Sequence, residues 1–159
     1  MLFRSVTRVS RLKAQTIAAG AAADDIVIAA DTIVVIDGRE LGKPRSEQEA
    51  LDMLRLLSGR THEVVTVLTV CCGEQLRSEP VVTRVTFRTL SEDEITAYIA
   101  TGEPMDKAGS YGIQGYGAMF VSHLEGDYFS VMGLPLCPLC SQLRAFGVPI
   151  LVPKEAQNT

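Results

Sequence analysis

Asp31 and Lys43 have the types and spacing to do phosphate chemistry. They lie in Ile26–Pro44, IVIAADTIVVIDGRELGKP. Ile26 to Ala30 is an apolar, strand-forming run, and Asp31 stands where that run stops. Thr32 to Ile36 is again β-branched and apolar, Asp37-Gly38 is a hairpin turn signal, and Gly42-Lys43-Pro44 closes the unit. A carboxylate ending a buried strand, with a lysine returned beside it by a hairpin, suits a phosphorylated ligand and a metal. The same pattern describes an ordinary solvated strand-end aspartate, and spacing alone leaves both readings open.

A second concentration of candidate groups is Met105 to Gly117, where Gly109, Gly112, Gly115 and Gly117 are interspersed with Lys107 and Gln114. So many glycines imply close approach of the backbone to a ligand or to neighbouring strands. His62 has no acid and nucleophile near it in sequence, which favours a structural hydrogen-bonding role; His123 has less claim still. Cys137 and Cys140 have Cys-x-x-Cys spacing, but Cys71 and Cys72 are adjacent in a strand-like run and point to opposite faces, so a four-cysteine zinc site is hard to complete. Leu136, Leu139 and Leu143 around the pair favour packing over redox chemistry.

The bulk properties narrow the field. A chain of 159 residues, 47% apolar and 21% charged, is sized and composed for one folded domain. A formal charge of -4 argues against a surface that coats nucleic acid, so no stable nucleic-acid partner is expected. A small anionic substrate still fits, because local lysines and a metal can focus positive charge within an acidic protein. Nothing reads as a signal peptide or membrane span, which predicts a cytoplasmic, reducing setting.

The elements that must position these groups follow from local signals. Val9, Leu12 and Thr16 predict one face of a helix that begins near Val9 and stops at Gly20. Ser46 and Glu49 form a capping box for a helix with the stripe Ala50, Met53, Leu54 and Leu57, and Ser58-Gly59 ends it. Val64 to Cys72 reads as a strand covered on both faces, Gly73 to Pro80 as a polar turn, and Val81 to Phe87 as the returning strand. Ser91 and Glu94 make a second capping box, which accounts for Glu94 without a metal; Leu90 staples Ile95, and Ile95, Tyr98 and Ile99 form the packed side. Ala118 to Leu124 reads as a strand, and Leu134 to Phe146 as a helix with Leu136, Leu139, Cys140 and Leu143 buried. Helices between apolar strands predict α/β layering around a mixed, twisted β-sheet, in one domain over residues 1–152 with a tail over 153–159.

Ala30-Asp31-Thr32, Gly42-Lys43-Pro44, Leu57 to His62 (LSGRTH), Lys107 to Gly115 (KAGSYGIQG), Gly126-Asp127-Tyr128 and Val131 to Pro135 (VMGLP) occur in one order across nearly the whole chain. Together they closely resemble the Maf family of nucleoside triphosphate pyrophosphatases. The resemblance implies an elongated α/β fold like that of inosine triphosphate pyrophosphatases. It also implies cleavage of a nucleoside triphosphate to monophosphate and pyrophosphate with a divalent cation, Mg2+ or Mn2+. Asp31 corresponds to the family's proton acceptor and is also a candidate metal ligand; Lys13 and Lys43 resemble lysines that face the phosphates. Thr32 and Gln114 resemble positions that separate a branch acting on dTTP and UTP from one acting on methylated guanosine or cytidine nucleotides. Glutamine can donate and accept toward the O4 and N3–H edge of a uracil-type ring. Lys107 is a candidate phosphate contact, or else the partner of Asp106 or Glu103. Members are often dimers, which makes a homodimer an expected assembly.

The family's usual opening, a strand and a Ser-x-Ser-Pro-Arg-Arg motif, has no counterpart in Met1 to Val6, so the fold is expected to be N-terminally truncated. Hydrolysis of dTTP and UTP, with modified pyrimidine triphosphates as further substrates, is the leading expectation. A catalytically weak nucleotide-binding or regulatory homologue linked to cell-division control is the alternative.

Overall fold

The computed structural model describes residues 2–153, so of the tail expected over 153–159 only Pro153 falls within the described residues. Helix α1 (Leu2–Ala18) leads to strand β1 (Ile26–Ile36), a tight turn and short β2 (Arg39–Leu41). Helix α2 (Glu47–Leu57), the long hairpin of β3 (Thr61–Cys72) and β4 (Gln75–Phe87), and helix α3 (Glu92–Ala100) follow. Three 3-10 turns, at Glu103–Asp106, Ala108–Ser110 and Tyr116–Phe120, then precede β5 (Val121–Glu125), α4 (Tyr128–Met132) and α5 (Leu136–Ala145). No helix among the described residues is long and apolar enough to cross a membrane.

The α/β layering is as the sequence predicts: one five-stranded sheet in the order β2-β1-β3-β4-β5, with helices on its faces. Every described ladder is antiparallel, which corrects the mixed sheet expected from the sequence; the two-residue hairpins that join β1 to β2 and β3 to β4 reverse the chain. Two-residue turns at Asp37-Gly38 and Gly73-Glu74 make the two tight hairpins, the first with positive φ at both residues (51° and 71°), as that turn requires.

Alternation along β1 and β3 assigns each residue to a face. Ile33, Val35, Val65 and Val67 pack on Val6 of α1. Val34, Ile36 and Val64 face the opposite way, onto Ala50, Leu54 and Leu57 of α2 and Ile95, Tyr98 and Ile99 of α3. Further along that second face, Leu68 and Val70 meet Leu139 of α5.

Several local expectations are corrected. Asp31 is not at a strand end: β1 pairs with β3 without a break from Ile26–Cys72 to Val35–Glu63, and the β-branched residues beyond Asp31 carry the strand on. Helix α1 begins at Leu2, and its buried stripe is Val6, Ser10 and Ala14, while Leu12 and Thr16 are exposed. Ser10 tolerates burial because its hydroxyl donates to Val67 O (2.9 Å) and shares a 2.7 Å bond with Thr69 Oγ1.

Strand β4 starts at Gln75, since register with β3 from Cys72–Gln75 onward recruits the polar run expected to be a turn. Strand β5 starts at Val121, after a 3-10 turn that buries Gly117 and Phe120. In α5, Leu136 is exposed, and Gln142 is buried with its amide donating to Glu79 (3.1 Å). At α2, Ser46 accepts from Glu49 N (3.1 Å) as expected, but the Glu49 carboxylate reaches past the cap to Arg45 N (2.6 Å). The Ser91–Glu94 box is complete.

Candidate active site

Thr32, Val34, Lys43, Val64, Lys107, Gln114 and Met132 line a cavity of about 280 Å³ on the α2–α4 face of the sheet. The β1–β2 hairpin returns the chain so that Lys43 lines the same cavity as Thr32 and Val34. The glycine-bearing loop closes the other side. Gly109 N donates to Gly42 O (3.1 Å), and Gly109 has φ 71° with the Val34 methyls 3.0 Å from where a Cβ would stand. A side chain there would be strained in its backbone and crowded against the cavity wall. Four of the six residues singled out from sequence, Thr32, Lys43, Lys107 and Gln114, thus converge on one cavity.

The loop carrying Gln114 is held from beneath by Tyr98 and Glu103. Tyr98 Oη donates to Glu103 Oε1 (2.7 Å) and accepts from Gly112 N (3.1 Å). Glu103 also accepts from Tyr116 N (2.9 Å) and Gly117 N (3.1 Å), so both flanks of Gln114 are pinned by their backbone. Burial works to raise the Glu103 pKa, yet bonds from Tyr98, Gly117 and Tyr116 together bring it below the ordinary carboxylate range. Burial, with the bond to Glu103 adding to it, pushes the Tyr98 phenol up. A Cβ at Gly115 would overlap the Glu103 carboxylate. Lys107 pairs with Asp106 (2.9 Å) rather than Glu103 and still lines the cavity.

His62 has the structural role its sequence context favours. Its Nε2 shares a 2.7 Å bond with Tyr111 Oη, and its ring lies edge-on to Phe87 and Tyr111. Burial lowers its pKa to about 4, so it is neutral near pH 7; Nδ1 is buried and has no hydrogen-bond partner among the described residues. Tyr111 itself lines the cavity, which links β3 to the loop wall.

Asp31 and Lys13 are not among the residues lining this cavity. Two-residue alternation puts Asp31 on the α1 face with Ile33 and Val35, and Lys13 of α1 meets it at 2.5 Å. The pair is partly open to solvent, with side chains 52% and 20% exposed for Lys13 and Asp31. Strand β2 covers β1 only from Val34 to Ile36, so no described strand pairs with the outer edge of β1 from Ile26 to Ile33. Asp31 and Thr32, consecutive in β1, face opposite sides of the sheet.

No group of three or more His, Cys, Asp or Glu side chains assembles among the described residues. Asp31 is a single carboxylate already paired with Lys13, so a divalent cation there would draw the rest of its shell from water and phosphate oxygens. Arg60 pairs with Asp37 (2.6 Å) and Arg84 with Glu125 (3.8 Å), so neither reaches the cavity. The four cysteines are free.

Sequence reading missed Glu103, Tyr98 and the buried Thr66, whose Oγ1 lies 2.8 Å from Thr32 Oγ1. Sequence reading has Glu103 only as a possible partner of Lys107, which gives no hint of the amides that fold back onto it. The run of glycines after it was the one available signal.

Comparison with known proteins agrees with this architecture. Residues 3–146 match the family described as Maf-like protein. The dTTP/UTP pyrophosphatase of Bacillus pumilus (strain SAFR-032) is 55% identical over 123 residues, 77% of this chain and 65% of that protein. The dTTP/UTP pyrophosphatase of Bacillus cereus (strain AH187) is 52% identical over 127 residues, 80% of this chain and 66% of that protein. The matched segment therefore spans just under two thirds of these relatives' length. With one family's pattern running through α1, the sheet and α5 alike, the chain belongs to the Maf family.

Proposed function

We propose that this chain is a nucleoside triphosphate pyrophosphatase acting on dTTP and UTP, cleaving the bond between the α- and β-phosphates to give the monophosphate and pyrophosphate. The observation that carries this reading is the convergence of two lysines, a threonine and a loop glutamine on one cavity. The names of the Bacillus relatives support the choice of pyrimidine substrates.

In this reading Gln114 and Thr32 read the base edge while Val34, Val64 and Met132 give the ring an apolar seat. Lys43 and Lys107 place mobile positive charge where the phosphates leave the cavity. The triphosphate then crosses the open edge of β1 to reach Asp31. Asp31 orients the attacking water and accepts its proton, while Lys13 steers the carboxylate and stabilises charge on the phosphoryl oxygens. A divalent cation, Mg2+ or Mn2+, held by Asp31 and the phosphates, would supply charge neutralisation and a more acidic water.

The test is pyrophosphate release from dTTP, UTP, CTP and GTP with Mg2+ or Mn2+, for the whole chain and for Asp31→Asn. Release from dTTP and UTP above the other two, lowered about 100-fold or more in the variant, is expected. A folded Asp31→Asn protein with unchanged turnover removes Asp31 from the mechanism.

A further inference from the structure

The hydroxyl of Thr32 lines the cavity, and its hydrogen-bonding direction is fixed by its surroundings. Thr66 faces it directly across the β1–β3 ladder, and their hydroxyl oxygens are 2.8 Å apart. Thr66 is fully buried and has a second partner, the backbone oxygen of Ser130 at 2.6 Å. A carbonyl can only accept, and a threonine hydroxyl has one hydrogen, so that hydrogen is committed to Ser130. Thr66 can therefore only accept from Thr32. The Thr32 hydrogen points away from the cavity, and what Thr32 presents to a ligand is its lone pairs.

Ser130 is fixed in turn. Its hydroxyl lies 2.8 Å from Asp127 O and 3.0 Å from Thr83 Oγ1, and α4 is thereby tied to β3 and β4. The carbonyl that orients Thr66 is held by a network, not by a loose turn.

Resting on the pyrimidine reading above, we infer that Thr66 is a positioning residue that locks Thr32 as a hydrogen-bond acceptor, so that the site takes a pyrimidine carrying an N3–H donor and rejects cytosine. Gln114 cannot supply that discrimination alone, because its exposed amide can turn over and offer either a donor or an acceptor. Uracil and thymine present N3–H to the fixed lone pairs. Cytosine in the same pose presents the N3 lone pair, and acceptor then faces acceptor.

The experiment measures binding of UMP and CMP by calorimetry to the wild-type chain, Thr66→Val and Thr66→Ser, with melting temperatures alongside. Binding of monophosphates does not depend on turnover, so it stands apart from the pyrophosphate assay. The wild type is expected to bind UMP about tenfold tighter than CMP. Thr66→Val, which keeps the shape and frees the Thr32 hydrogen, should bring the ratio below about threefold, and Thr66→Ser should restore it. A merely structural Thr66 would change melting temperature and leave the ratio alone, which overturns the inference. Equal binding of UMP and CMP by the wild type, or binding of neither, also overturns it. Should Thr66→Val not fold, the wild type is titrated with the monophosphate of pyrimidin-2-one riboside, which has an N3 lone pair and no group at C4. Binding as weak as CMP supports the lock; binding as tight as UMP overturns it. Absence of pyrophosphate release with the UMP preference intact would defeat the hydrolase reading and leave the lock standing.

Discussion

His62 shows how a titratable residue can serve a wall of the cavity without taking part in chemistry. Buried against Phe87 and bonded to Tyr111, it holds its pKa near 4 against an ordinary 6.5. In the unfolded chain the imidazole takes up a proton first as pH falls, so the native state is fully favoured above pH 6.5 and loses that advantage between 6.5 and about 4. The shift corresponds to roughly 3 kcal/mol at most. Urea unfolding of the wild type and His62→Gln at pH 7 and pH 4.5 tests this. The wild type should lose more stability than the variant over that interval; equal losses would mean that His62 titrates normally in the fold. The sequence supplied the structural role of His62, since no acid or nucleophile stood near it. Its partner Tyr111, like the partner of Thr32, comes from a distant segment: Thr66 is 34 positions away from Thr32. Such pairs are written in register, and register is not visible in local composition.

At the scale of elements, the clearest signals were those whose partners lie within one turn. The Ser91–Glu94 box and the Asp37-Gly38 hairpin turn form as local chemistry dictates. The polar stretch Gln75–Pro80 became strand because a long partner was available in β3, and Ser10 became core because Val67 and Thr69 satisfied it. The glycine-bearing loop belongs with this second kind. Its shape depends on Glu103 receiving two backbone N–H groups and a phenol, none of which the sequence around Glu103 announces. Replacing Glu103 with Ala should leave the Tyr116 and Gly117 amides without their acceptor and destabilise the fold by about 1–3 kcal/mol. The effect should be local: hydrogen exchange at Gly112–Gly117 speeds up, and the KM for UTP rises more than kcat falls. Unchanged exchange at Tyr116 and Gly117 would show that the loop keeps its shape without this clamp.

Across the whole molecule, the sheet divides the proposed reaction between two faces. The cavity proposed for the base lies against α4 and the glycine-bearing loop, while Asp31 faces Lys13 of α1 on the other side, with Thr32 and Asp31 consecutive in β1. The sequence singles out Ala30-Asp31-Thr32 as a candidate site, but the division of that motif between faces was not legible, because it depends on β1 running unbroken through Asp31. In the proposed reading one extended ligand touches both faces by passing the β1 edge that no described strand pairs. This arrangement predicts that binding and turnover separate by variant. Asp31→Asn should weaken UMP less than Gln114→Ala does, since the carboxylate acts at the phosphate end and does not touch the base, yet release pyrophosphate from UTP about 100-fold more slowly. Gln114→Ala should do the reverse, weakening UMP about tenfold while kcat at saturating UTP changes by less than about threefold. Calorimetry with UMP and steady-state pyrophosphate release on the same two proteins measure all four quantities. If Asp31→Asn weakens UMP as much as Gln114→Ala does, the base and the reacting phosphates share one face, and the path over the β1 edge is wrong.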